Sequence, residues 1–390
     1  MRKVLFVVDE KKLGGVSIVL ENLLNNLDLT NLKVDVLILH NNGTALTNLN
    51  KNVRLIYGTK AFDIVDQDFK SLLKTGHIIK AIRKSRLSYK MKTNNMKSFI
   101  LAQRKKMGLG CYDVEIAFKS GFCSFFVAYS NAKKKINWVH EDYETYNKTK
   151  RYKETFKKVF NMFDKHIVVS QKAAKSFNDI YHMEYKTYVI ENYIDENLLK
   201  EQALKASIKL DNSKINVVSL GRFCYEKGFD RLVEALGILR DKLGILNVKV
   251  NILGYGELER ALKQQVVTDG LSDIVEIYNT TNLEHSPYSF IKESDVFVMA
   301  SRSESFGMTR IESLILGTPV ITTNVANSDK LIQSDYGIIV ENTTEGIAYG
   351  IEALITNKEL LNALKENVKN YSYSAENNKI IHQVQELLEE

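Results

Sequence analysis

The sequence predicts an α/β protein of two Rossmann-like domains, with parallel sheets facing a central cleft. Three observations carry that prediction. Short β-branched runs alternate with segments of helical spacing along nearly the whole chain, as in parallel sheets joined by crossover helices. The alternation breaks once, over the polar and strandless residues 193–213, and then restarts. Residues 295–323 read DVFVMASRSESFGMTRIESLILGTPVITT, which is a complete strand, loop, helix and strand.

Taken in order, residues 4–8 form an apolar run too short for anything but a buried strand. Gly14 and Gly15 make the following loop, and residues 17–27 have helical spacing with Ser17 as N-cap. Residues 33–40, 53–57, 114–118, 135–140, 166–170 and 187–190 supply the remaining strands of the first half. The second half begins with a strand at 215–220 and a helix at 228–243. Strands at 248–253, 274–278, 296–299, 320–323 and 337–340 complete it. Between the third and fourth of these, a helix over 308–316 is stopped by Gly317 and Pro319. A last helix spans 375–390. The domain boundaries expected from this pattern are 1–197, 198–374 and the closing helix 375–390.

The composition excludes several classes. With two prolines in 390 residues and ordinary apolar and charged content, the chain is globular and long enough for two domains. No apolar run reaches bilayer length, and no cleavable leader is expected before the first strand. Three cysteines without metal-ligand spacing suggest a reducing compartment, hence the cytoplasm.

Charge divides the molecule. Residues 1–197 hold 34 Lys and Arg against 20 Asp and Glu, while residues 198–390 hold 20 against 27, giving +14 and −7. The basic half is expected to meet something anionic. Residues 69–112 contain twelve basic side chains and no acidic one, interleaved with Leu72, Leu73, Ile78, Ile79, Ile82 and Leu87. That pattern fits basic amphipathic helices lying on an anionic membrane surface, with a solvated face as the plainer alternative. A nucleic-acid partner is not expected.

Within the second half, E-S-F-G-M-T-R-I-E followed by L-G-T-P-V-I sets Glu304 and Glu312 on either side of a loop-to-helix junction. Backbone N–H groups there, from Phe306 through Gly307 and Met308 to Thr309, suit a ligand phosphate. This stretch resembles the signature of group 1 glycosyltransferases, retaining enzymes of GT-B fold that use nucleotide sugars. Y-D-V-E-I-A-F, K-K-K-I-N-W-V-H and S-P-Y-S-F-I-K-E-S-D-V-F-V resemble the bacterial capsule and exopolysaccharide transferases of that family.

The resemblance implies an N-terminal acceptor domain, a C-terminal nucleotide-sugar domain and a last helix that returns to the first. It implies a metal-independent hexosyltransferase acting on a glycan or lipid-linked acceptor in surface polysaccharide synthesis. The donor it implies is a nucleotide-diphosphate sugar, a UDP-sugar by expectation, and the location is the inner face of the plasma membrane. In V-S-L-G-R-F-C-Y-E-K-G-F-D, Arg222 and Lys227 stand at a strand end and a helix start. The family places its diphosphate clamp there, where cations meet the charge growing on the leaving group.

By the same resemblance, Glu312 accepts from the ribose hydroxyls and Glu304 faces the transferred sugar. His140 lies beside that sugar, and Gly14 and Gly15 face donor or acceptor. Gly254, in Gly254-Tyr255-Gly256, lies near the base. This glycine run lacks the third glycine of a dinucleotide fingerprint. Ser170 and Asn192 are expected to shape the cleft. Where relatives carry Gly and Glu after the second glutamate, this chain reads N-V-A-N-S-D-K. Two rival readings are a metal-dependent GT-A transferase using Asp66-Gln67-Asp68, and a non-catalytic nucleotide-sugar-binding subunit on the same fold.

Overall fold

A computed structural model describes residues 1–9, 14–40, 46, 48–65, 69–93, 95–143, 150–205, 208–244, 247–332 and 335–390. The chain divides into two units, Met1–Tyr193 with Asn378–Glu390, and Ile194–Asn377.

The first unit is built on seven strands: β1 (Arg2–Val8), β2 (Leu32–Ile38), β3 (Arg54–Tyr57), β4 (Val114–Ala117), β5 (Lys134–Val139), β6 (Lys165–Val168) and β7 (Thr187–Val189). They pair in parallel in the order β3-β2-β1-β4-β5-β6-β7. Val4 to Val8 have no exposed surface, as a strand covered on both faces requires. The helix after β1 is α1 (Gly15–Asn26). It starts on Gly14 in extended conformation, so Ser17 is not the N-cap. Ser17 lies inside the first turn and is buried.

Three further helices, α2 (Phe69–Lys74), α3 (Ile78–Lys92) and α4 (Lys97–Lys106), occupy the basic segment. Its apolar residues split in two. Leu72 and Leu87 are buried, whereas Leu73, Ile78, Ile79 and Ile82 are 49%, 61%, 69% and 49% exposed. The chain end belongs to this unit through Lys134, whose Nζ donates to the Leu387 carbonyl at 3.1 Å and to Glu390 Oε2 at 2.7 Å. Among the described residues, no helix is long and apolar enough to cross a membrane.

The second unit carries six strands: β8 (Ile215–Leu220), β9 (Val248–Gly254), β10 (Val275–Asn279), β11 (Val296–Met299), β12 (Val320–Thr323) and β13 (Gly337–Val340). They too are parallel, in the order β10-β9-β8-β11-β12-β13. Helices pack on both faces, and the two apolar clusters form around Phe229, Leu236 and Val250, and around Phe297, Leu314 and Val320. Asn377 fastens the unit's two ends, giving Nδ2 to the Ile194 carbonyl at 2.8 Å and taking the Ile194 N–H on Oδ1 at 3.2 Å.

Candidate active site

In the second sheet β8 and β11 are neighbours in space but not in sequence, so the strand order reverses between them. Ligands of open α/β sheets bind beyond the carboxyl ends at such a point. The loop after β8 carries Arg222 and Lys227, and the loop after β11 carries Glu304 to Met308.

Glycine lets these loops touch. Gly228 sits at φ +67°, and a Cβ there would lie 2.1 Å from the Ala300 carbonyl oxygen, closer than any side chain tolerates. Arginines then fasten the loops together. Arg302 forks onto Asp230 at 2.7 and 2.6 Å and stacks 4.1 Å above the Tyr225 ring. Arg231 donates to the Ala300 carbonyl at 2.7 Å and to Asn342 Oδ1 at 2.9 Å.

On this scaffold, Lys227 Nζ donates to Glu304 Oε1 at 2.6 Å, and Ser301 Oγ donates to the same oxygen at 2.7 Å. Burial pushes the Glu304 carboxyl up. The charge and hydrogen bond of Lys227, with help from Ser301 and Arg310, outweigh that push and hold it below its usual value. Glu304 is therefore an anion and Lys227 its fixed counter-ion.

Glu312 is different. It lies in the helix Met308–Ile315, buried, with the Tyr288 hydroxyl donating to Oε1 at 3.4 Å. Burial raises its pKa to about 7, against smaller lowering effects of Tyr288 and Lys227. Burial, with the Glu312 charge, likewise keeps Tyr288 protonated far above neutrality.

Arg222 is exposed, its charge favoured first by a hydrogen bond with Cys224. Among the described residues no hydrogen bond or ion pair joins it to either glutamate. The structure thus brings Lys227 to Glu304 and leaves Arg222 at the rim.

At the junction, Gly307 takes the left-handed conformation (φ +80°), and the helix begins at Met308 with neither a capping side chain nor an acid in its first turn. Its terminal N–H groups are thus left to an anion. Phe306 is buried, and its carbonyl accepts from Arg310 at 2.6 Å. Gly254 ends β9. Its missing Cβ is used by the protein's own backbone, since a side chain there would meet the Gly221 carbonyl oxygen at 1.9 Å.

In the first unit, Gly14 leads into α1 with no capping side chain, and a Cβ on Gly15 would meet open space. His140 follows β5 and packs on Phe118, ring centroids 5.0 Å apart. Burial and the nearby Lys119 charge lower its pKa to about 3, so the imidazole is neutral. Its Nε2 is buried without a hydrogen-bond partner among the described residues. Ser170 has a structural task, accepting from the Ala173 N–H at 3.1 Å as N-cap of the helix Gln171–Tyr181. Asn192 is buried, with Oδ1 unbonded among the described residues.

Sequence reasoning missed Arg310, which has no exposed surface. It donates to the Phe306 carbonyl, to the Ala326 carbonyl and, at 2.8 Å, to Ser328 Oγ. Burial draws its pKa down to about 10, so it remains a cation at neutral pH. The only sequence signal was a cation amid the apolar residues of a short helix. Glu141 was missed too; burial raises its pKa beside Lys119, Ser120 and Asp9.

Among the described residues, no three His, Cys, Asp or Glu side chains are grouped to hold a metal ion. Asp66-Gln67-Asp68 lies outside the described residues.

Residues 200–371 match the family model of "Glycosyl transferases group 1". An uncharacterized glycosyltransferase of Methanocaldococcus jannaschii is 30% identical over 210 residues, 52% of this chain and 57% of that protein. The capsular polysaccharide biosynthesis glycosyltransferase CapM of Staphylococcus aureus is 32% identical over 178 residues, 45% of this chain and 44% of that one. The chain thus spans about half the length of these curated relatives. In three dimensions it is similar to the Anabaena protein HepE solved with UDP and glucose, at a TM-score of 0.68 and 16% identity, covering 99% of this chain and 100% of the other. Solved structures this dissimilar in sequence share the fold. Residues 200–371, then, are those of a group 1 glycosyl transferase by their match, and the chain has an α/β fold of GT-B type.

Proposed function

We propose that the protein is a retaining, metal-independent glycosyltransferase that moves a hexose or N-acetylhexosamine from a UDP-sugar to a glycan or lipid-linked acceptor in surface polysaccharide synthesis. The observation that carries this reading is the 2.6 Å pair of Lys227 with the buried Glu304 at the switch point of the second sheet. A departing diphosphate needs positive charge already in place. Lys227, held by Glu304, offers that charge without reorganisation. Arg222 at the rim adds a fork for two phosphate oxygens.

Glu304 is assigned to the sugar and to the positive charge that develops at its anomeric carbon. Glu312 is assigned to the ribose hydroxyls, and the N–H groups of Phe306, Gly307 and Met308 to phosphate or sugar oxygens. His140 of the first unit, neutral and with a bare Nε2, is assigned a hydrogen bond to a sugar hydroxyl. Gly14 and Gly15 let backbone approach the ligand, and Gly254, packed against the Gly221 carbonyl, shapes the edge of the base site. In the step itself the anomeric carbon–phosphate oxygen bond breaks and the acceptor oxygen bonds to the same face. The acceptor's proton passes to the leaving diphosphate. UDP in the Anabaena structure of the same fold supports a uridine nucleotide, and CapM supports a surface polysaccharide.

A panel of nucleotide sugars incubated in excess chelator tests this reading. Release of nucleoside diphosphate from one of them, with transfer to acceptor, is expected. Release that needs manganese or magnesium would move the balance to a metal-dependent transferase.

The anionic membrane at the inner, cytoplasmic face is the proposed location, reached through residues 69–112. Exposed Ile78, Ile79 and Ile82 on α3, among six cations and no acid, support it. Each Lys or Arg near an anionic surface contributes about 1 kcal/mol, screened by salt. Changing Arg83, Lys84, Arg86, Lys90 and Lys92 to Gln should abolish co-sedimentation with anionic vesicles. Equal binding of the native protein to neutral vesicles would reduce the segment to a solvated face.

A further inference from the structure

The first unit holds a cavity of about 350 Å³ between the connection after β3, the helix α3 and the helix α4. Four cations line it: Lys60 from the connection, and Arg83, Arg86 and Lys90 from α3. The three on α3 stand at helical positions i, i+3 and i+7, so they share one face. The floor beneath them is apolar. Ile64 and Leu87 are buried, and Phe99 packs edge-on against Phe62 with ring centroids 5.9 Å apart.

No carboxylate is among the residues lining the cavity, and among the described residues none of the four cations is ion-paired. Like charges gathered without a counter-ion repel one another, so the cavity favours an anion. Two guanidiniums suit a phosphate, onto which each can fork. A bare phosphate leaves the apolar floor unused. An aliphatic chain on the phosphate covers it. The exposed Ile78, Ile79 and Ile82 stand on α3 just before Arg83 and extend the apolar track along the same helix.

We propose that this cavity binds the phosphate or diphosphate of an aliphatic phosphate ester, the lipid carrier of the acceptor sugar. This rests on the transferase reading above and narrows its acceptor to a lipid-linked sugar. It differs from general attachment to an anionic bilayer, because four cations around the mouth of one cavity with an apolar floor suit a single headgroup.

The test is calorimetric titration with decyl phosphate below its micelle concentration. The native protein should bind saturably. The variant carrying Lys60→Gln, Arg83→Gln, Arg86→Gln and Lys90→Gln should bind at least about tenfold more weakly, having lost its charge-assisted bonds. Arg86→Gln alone should show part of that loss. A variant of equal charge carrying Lys33→Gln, Lys51→Gln, Lys158→Gln and Lys175→Gln, all exposed and distant in sequence from the cavity, should bind as the native protein does.

Inorganic phosphate and decyl glucoside should each bind far more weakly than decyl phosphate. Undiminished binding by the cavity variant overturns the proposal. So does inorganic phosphate binding as tightly as decyl phosphate, which makes the cavity a plain anion site, or decyl glucoside doing so, which makes it an apolar one. Release of nucleoside diphosphate from the nucleotide-sugar panel is measured alongside, with acceptor present. Its absence for every sugar overturns the transferase reading, whereas decyl phosphate binding by itself decides the cavity.

Discussion

Lys227→Ala is expected to lower turnover by about two to three orders of magnitude, the usual effect of removing a preorganised group that meets growing negative charge. Arg222→Ala should fall in the same direction, with the protein still folded, because Arg222 is exposed. The pairing of Lys227 with Glu304 offers a second explanation for the first loss. Without its ammonium, Glu304 keeps Ser301 as its hydrogen-bond donor and remains buried, and burial then favours the protonated acid. Titration with UDP separates the two, because Glu304 is assigned to the sugar and Lys227 to the diphosphate. If the altered Glu304 alone caused the loss, Lys227→Ala should bind UDP as the native protein does. Weaker UDP binding is expected instead, since the diphosphate lacks its cation. Near-native turnover in Lys227→Ala and Arg222→Ala would remove the clamp assignment.

Arg310→Met should destabilise the protein by about 3–5 kcal/mol, the range for breaking a buried charged network from one side. The guanidinium is enclosed, and its removal takes the Arg310 donor from the Phe306 and Ala326 carbonyls, while Ser328 Oγ keeps the Val325 N–H. Each buried polar group left unbonded costs about 1–3 kcal/mol. Methionine fills much of the space, so the loss reports hydrogen bonding more than a cavity. The measurement is the denaturant midpoint with its slope. An unchanged midpoint would mean that the loop after β11 and the segment around Ala326 hold their shape without Arg310.

Periodicity made the sheets legible because their inner strands, such as β1, β4, β11 and β12, are buried along most of their length. A buried parallel strand must be a short apolar run, and Val4–Val8 and Val296–Met299 could be little else. The site was legible at one edge for a related reason. Once β8 and β11 flank the switch point, the residues just after them must converge. Lys227 and Glu304, 77 positions apart, then meet at 2.6 Å.

What escaped depends on contacts that no local pattern encodes. Ser17 looked like a cap, yet α1 starts three residues earlier, on Gly14, with no side-chain cap. The basic segment read as basic amphipathic helices, but the pattern did not say which apolar residues turn inward. The fold buries Leu72 and Leu87 and exposes Leu73 and Ile79, across helices that each present a face of their own. Arg310 was passed over because a cation in a helix is ordinarily solvated, and only the loops around Phe306 and Ala326 give it a reason to be inside.

The central claim is that the carboxyl edge of the second sheet holds a nucleoside diphosphate through Arg222, Lys227 and Glu312. Its most direct test is calorimetric titration of the protein with UDP in excess chelator, repeated across neutral pH and on Glu312→Gln. Ribose hydroxyls donate to a carboxylate and so favour its ionised form. With the Glu312 pKa raised to about 7, UDP binding should release protons below that value and tighten as pH rises through it. The glutamine variant should bind more weakly and lose that part of the pH dependence, the comparison cancelling the titration of UDP's own phosphate. Saturable binding with these two features is the predicted result. No binding by the native protein, or identical affinity and pH dependence in the variant, would contradict it.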